Sequence, residues 1–176
     1  MAGTGPEDLH AAAMEYLAAV EAALDTIPAF APALAGAPER SFVAPGPPAY
    51  DCCPQLTVHV AGFSEGAQAA GAPKASFARI NRVAFVATVI RCVAVSDKSG
   101  NPPSPVLQQE AAEQIHADRW ALWNHVWNLI REEQLFTVCS DVIWNSLAPV
   151  TPQGGCGGSI LTVTAALDGY EETIGT

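Results

Sequence analysis

Gly62-Phe63-Ser64-Glu65-Gly66 is the sharpest chemical pattern in the chain, a GxSxG directly after an apolar stretch. That spacing suits a strained strand-to-helix turn that presents a serine hydroxyl as a nucleophile. The chemistry would be acyl transfer at Ser64, with an acid and then a histidine further along the chain. Asp97 followed by His116 or His125 satisfies that order. The surrounding sequence argues the other way. Gly71 and Pro73 interrupt any helix after Ser64 within two turns. Both histidines fall inside a long amphipathic pattern, not in a loop. A parallel sheet built from repeated βαβ units is also missing from the pattern, which has one crossover helix.

Other candidate groups carry less. Gly154-Gly155-Cys156-Gly157-Gly158-Ser159 is glycine-rich, but it lacks the lysine of a phosphate-binding loop and joins two strands without opening a helix. Glu110, Glu113 and Asp118 are read as the solvated face of the long helix. His116 and His125 are nine positions apart and share no ligand-facing position. The cysteines at 52, 53, 92, 139 and 156 show no CxxC spacing, and the adjacent pair suits no ordinary disulfide framework. Reduced thiols are expected, with Cys92 and Cys139 acting as small hydrophobes in strands. No residue is therefore assigned a catalytic, cofactor-binding or metal-binding role. A non-enzymatic protein is expected, with a serine hydrolase acting through Ser64 as the alternative of another class.

Composition narrows the class further. The chain has 176 residues, enough for one domain, and 1–176 is read as a single domain. Hydrophobic residues make up 49% and charged residues 15%, against an average charged share of about 25%. A surface short of charge suits coverage by other subunits. With 8 basic and 18 acidic residues the net charge is −10, and the basic residues are scattered singly. That excludes wrapping nucleic acid on clustered Lys and Arg. The start of the chain, Met1 to Asp8, is acidic where a secretory signal is basic, so none is expected. The longest apolar stretch, Val83 to Val95, is too short for a membrane-spanning helix, and no membrane association is expected.

The elements that must position these residues follow from periodicity. Pro6 opens a helix whose apolar residues Leu9, Ala13, Tyr16, Leu17, Val20 and Leu24 recur at steps of three and four, ending near Asp25. Residues 27–54 hold seven prolines and are read as an extended arm or loop. Gln55–Phe63 alternates like a strand, residues 64–78 read as loop, and Ile80–Val95 reads as one long strand that is apolar on both faces. Sixteen residues would reach about 50 Å, so this strand is expected to project past its own domain. A second helix runs from Pro105 to Glu133 with Leu107, Ala111, Ile115, Leu122, Val126, Leu129 and Ile130 as its core stripe. Trp120, Trp123 and Trp127 form a stripe beside it, read as core or subunit interface. Thr137–Leu147 and Ser159–Asp168 are two further strands around a flexible tip at 148–158, and 169–176 is a loose tail. The order α-β-β-α-β-β predicts an α+β domain, with a small, mostly antiparallel sheet packed against two helices.

Several local words sit in this frame: Cys53-Pro54-Gln55-Leu56-Thr57-Val58, Ile90-Arg91-Cys92-Val93, Asp118-Arg119-Trp120-Ala121-Leu122-Trp123, and Pro152-Gln153-Gly154-Gly155 before Ile160-Leu161-Thr162-Val163-Thr164. Over about residues 7–168 the chain resembles the tail-terminator and neck (head-to-tail connector) proteins of long-tailed phages that infect actinobacteria. Residues 58–67 separately resemble the elbow of cutinase-like hydrolases. The phage resemblance implies a structural virion protein assembled in the host cytoplasm. It would form a homohexameric ring on the tail tube, stop tube polymerisation and meet the head-completion or connector protein. An adaptor, a stopper or a tail-tube subunit is the alternative within the phage.

In such a ring DNA would pass through the lumen without specific binding. Six copies at −10 each sum to −60, and like charge at a lumen wall repels phosphate within about 8 Å at physiological salt. The expected subunit contacts are Phe42 and Tyr50 in the arm, Arg79, Ile80 and Arg82 at the start of the long strand, and Gln153, Gly154 and Gly155 at the hairpin tip.

Overall fold

A computed structural model describes residues 6–27, 36–49, 54–65 and 81–167. Tyr50, Arg79 and Ile80, the adjacent Cys52 and Cys53, and the 169–176 tail lie outside the described residues, as does most of the expected 64–78 loop.

Helix α1 (Pro6–Asp25) begins with Glu7 and Asp8 in its first turn, where negative charge complements the exposed amides. Its inward face is Ala12, Ala13, Tyr16, Leu17, Val20, Ala23 and Leu24, all buried. Strand β1 (Arg40–Val43) follows, then β2 (Gln55–Glu65) and β3 (Asn81–Cys92). Helix α2 (Pro105–Arg131) starts at the Ser104 cap, whose hydroxyl accepts from the Leu107 amide at 3.3 Å, with Pro105 in the first turn. It ends through Glu133 in the left-handed region (φ 56°), and the Gln134 amide donates back to the Leu129 carbonyl at 2.8 Å. Strands β4 (Cys139–Gln153) and β5 (Cys156–Leu167) close the described chain.

The five strands form one open sheet in the order β1-β2-β3-β5-β4. β1 is parallel to β2, and the other three pairs are antiparallel. Both helices cover the same face. Leu56 and Val58 of β2, Val83, Phe85, Ala87 and Val89 of β3, and Leu161, Val163 and Ala165 of β5 join the helices in one buried cluster. At its centre the Tyr16, Phe85 and Phe136 rings lie 5.1–6.4 Å apart. The Tyr16 hydroxyl donates to the Leu161 carbonyl at 3.2 Å, and burial pushes its pKa well above the usual tyrosine value.

The α+β class, the two helices and the mostly antiparallel sheet agree with expectation. The element order gains a strand, because β1 forms inside the proline-rich arm. Arg40-Ser41-Phe42-Val43 is a proline-free run with prolines outside it, which leaves its amides able to join an edge.

Among the described residues the long strand, expected over 80–95, is β3 over 81–92; it ends three residues early and is paired along its length. It lies in the middle of the sheet, with β2 on one side and β5 on the other. Its amides are consumed there; Val83, Phe85, Ala87 and Val89 face the helices, and on the other face Thr88 and Ile90 are buried while Ala84 and Val86 are half-buried.

The tip is corrected too. The expected 148–158 loop is a two-residue turn at Gly154-Gly155, and both flanking strands extend into the predicted loop. Both glycines have positive φ (58° and 88°), as the tight hairpin turn that matches strand twist requires.

Candidate functional site

Ser64 lies within β2, paired with Arg82 of β3, and the strand continues through it to Glu65. The chain therefore does not turn at the serine, and the elbow geometry is not made. The Asp97 carboxylate is occupied inside its own turn. It accepts from the Ser99 and Asn101 amides at 2.8 and 2.9 Å and from the Asn101 side chain at 2.8 Å. Those bonds, the Asn101 side chain first, hold its pKa below the usual aspartate value. His116 and His125 both sit on α2. Among the described residues no cluster of three or more His, Cys, Asp or Glu side chains could hold a metal ion. Cys156 is buried and disulfide-bonded, which corrects the expectation of thiols throughout.

The expected contact residues fall in separate places. Phe42 is half-buried on β1 with the Arg40 guanidinium 5.7 Å from its ring centre. Arg82 is ion-paired to Asp141 on β4 and also donates to its carbonyl at 3.2 Å. Gln153 and Gly154 are exposed, whereas Gly155 is half-buried and its carbonyl accepts from the Val93 amide at 2.8 Å.

Two features of α2 were not foreseen in this form. The first is Asp118, expected on the solvated face but in fact 1% exposed. It receives Arg91 of β3 in a two-pronged ion pair, Nε to Oδ2 and Nη2 to Oδ1, both at 2.9 Å. Gln114 adds a bond to Oδ1 at 2.9 Å, and Arg91 Nη2 also reaches the Gly36 carbonyl at 2.8 Å. Sheet, helix and arm are tied at one point.

The second is the opposite side of α2. Trp120, Trp123 and Trp127 are 66%, 44% and 38% exposed. The Trp120 and Trp123 rings lie 5.3 Å apart, and Trp127 meets Trp144 of β4 edge-on at 6.0 Å. Beside them runs a groove of about 680 Å³ between the end of α1 and α2. Thr26 and Ile27 line its α1 side, Ala117 and Ala121 its α2 side, and His116 and Trp120 border it. This stripe, expected in the core or at a subunit interface, lies outside the core of the chain. Leu107, expected in the core stripe, is 50% exposed.

No protein-family model and no curated protein matches the chain. The exposed aromatic face beside this groove, which Glu113 and Asn124 also line, is the candidate contact surface.

One buried group on the outer sheet face lends itself to a pH test. His59 Nδ1 and Thr57 Oγ1 are buried with no hydrogen-bond partner. Burial lowers the His59 pKa below its usual value. The unfolded chain then takes up a proton near pH 6.5 while the folded chain still resists it. Stability is fully present above that pH and falls as the pH drops below it. Thermal melts at pH 7.5 and pH 5.5 should show this loss, and His59→Gln should flatten it. Identical pH slopes for the two proteins would refute the assignment.

Proposed function

We propose that the chain is a structural subunit that acts by assembly, and within that class a phage tail terminator. The observation that carries the assembly reading is the row of three exposed indoles on one face of α2. A protein working alone gains nothing from leaving that much aromatic surface wet. The low charged fraction supports the same reading. The terminator assignment rests on the resemblance of the local words and on the α+β layout of two helices on one face of a small open sheet. Its mechanism would be geometric: a ring matches the last ring of the tail tube on one face, and its other face lacks the surface that would template another. The protein would reside in the neck of the virion, between the tail-tube protein and the head connector, after assembly in the host cytoplasm.

The test is an amber mutation in the gene within its phage, read by negative-stain electron microscopy. The terminator reading expects tubes of unregulated length that fail to join heads. Tails of normal length left unjoined would move the protein to a stopper or adaptor, and absence of tubes would make it a tube subunit. Normal joined particles would overturn the virion reading. Labelling by a fluorophosphonate probe that Ser64→Ala abolishes would restore the hydrolase.

A further inference from the structure

We infer that the tryptophan face of α2 is covered by the same face of a second copy, with the two helices antiparallel. The groove beside the indoles and the order of residues along α2 point to this occupant. Residues 113, 117, 120, 124, 127 and 131 are spaced 4, 3, 4, 3 and 4 apart, the alternation of a helix–helix seam. They are Glu113, Ala117, Trp120, Asn124, Trp127 and Arg131.

A two-fold axis level with residue 122 lays this row on itself in reverse. Glu113 then faces the second copy's Arg131, Ala117 faces its Trp127, and Trp120 faces its Asn124. Each pair occurs twice. Just off the seam, the Trp123 flank of one copy meets the Trp123 flank of the other, because a two-fold axis brings like flanks together. Large thus meets small where Trp127 faces Ala117, and that alanine lines the 680 Å³ groove.

Charge fits the same register. Glu113 and Arg131 are eighteen residues apart, which is five full turns, so they lie in line about 27 Å from each other. They cannot meet within one chain. Both are exposed; Glu113 accepts from Gln109 one turn earlier, and Arg131 has no ion-pair partner among the described residues. The reversed helix supplies each with its opposite at the ends of the seam.

Area is adequate. Taken together the three exposures amount to about one and a half tryptophans, roughly 350–400 Å² per copy. A standard interface buries about 800 Å² per partner, so the indoles alone supply close to half. A contact that uses one face twice closes at two subunits, so it is additional to the seams of a polar ring and does not rest on the terminator reading.

The experiment is sedimentation equilibrium on the full chain with a charge swap. The wild type should be a dimer at micromolar concentrations. Glu113→Arg and Arg131→Glu should each weaken it by roughly tenfold, through like charges brought together twice. The double variant should return to within about twofold of wild type, because the exchanged charges again meet as opposites at both ends of the seam. Trp120→Glu, at the most exposed indole, should be monomeric with unchanged helical circular dichroism. A wild type that stays monomeric at about 100 μM, or a double variant no tighter than the singles, would overturn the pairing. So would a larger assembly indifferent to Trp120→Glu, which would leave the ring reading standing. Rescue by the swap together with normal joined tails in the amber mutant would retain the pairing and remove the terminator.

Discussion

Asp118→Ala should cost about 3–5 kcal/mol of folding stability, because it leaves the Arg91 guanidinium buried without a counter-charge. Arg91 is 5% exposed, so water cannot take the place of the missing carboxylate. Three hydrogen bonds end on the Asp118 oxygens, two from Arg91 and one from Gln114. Asp118→Asn keeps the shape but removes the charge, and its loss should approach that of the alanine variant. The complementary test removes both partners. Arg91→Met with Asp118→Leu deletes the desolvation penalty together with the attraction, and such swaps are often neutral. That double variant should recover most of the stability lost in Asp118→Ala. Urea denaturation is the measurement. A loss below about 1 kcal/mol for the alanine variant would mean that the pair is solvated and weak, as surface pairs are.

The sequence contains the information for this pair in its helical phase, which outweighs charge as a guide to burial here. Asp118 lies three residues after Ile115 and four before Leu122, both assigned to the inward stripe, so helical phase places it inward. Arg91 follows Val83, Phe85, Ala87 and Val89 on the helix-covered face of β3, the one charge in that buried row. One charge in a buried strand and its opposite on a buried helix face satisfy each other, and neither is explained alone. The two helices and the core strands were legible because apolar spacing of 3.6 or 2 survives in sequence. β1 was not, since four residues between prolines have no period to detect, and only the free edge of β2 recruits them. The exposed state of Trp120, Trp123 and Trp127 was also undetermined, because aromatic residues at helical spacing look the same in a core and at an interface. Only the helix's actual rotation against the sheet separates the two. Local glycine content misled most, by suggesting a mobile tip where the chain is tightly packed.

Gly158→Ala tests that packing and should be the most damaging single-methyl change in the described chain. A Cβ at Gly158 would stand 1.9 Å from the Val89 carbonyl oxygen and 2.9 Å from its carbon. Both are backbone atoms of the central strand, so no rotamer change relieves the clash. Either β5 moves off β3 or the ladder breaks around the Gly158–Ile90 pair. Moving β5 also withdraws the Gly158 carbonyl and the Ser159 hydroxyl from Arg119, which reaches them at 3.4 and 3.0 Å. The expected loss exceeds about 4 kcal/mol, in the range reserved for severe core disruption. Gly157→Ala is the control. Its Cβ would meet Val93 Cγ1 at 2.9 Å and Ile115 Cδ1 at 3.3 Å, both side-chain atoms. Those can shift, so the cost should be about 1–3 kcal/mol. Urea midpoints and soluble yield of the two variants read the contrast. Equal midpoints would show that the strand separation adjusts freely, and the close approach of β5 to β3 would then be no constraint on this sheet.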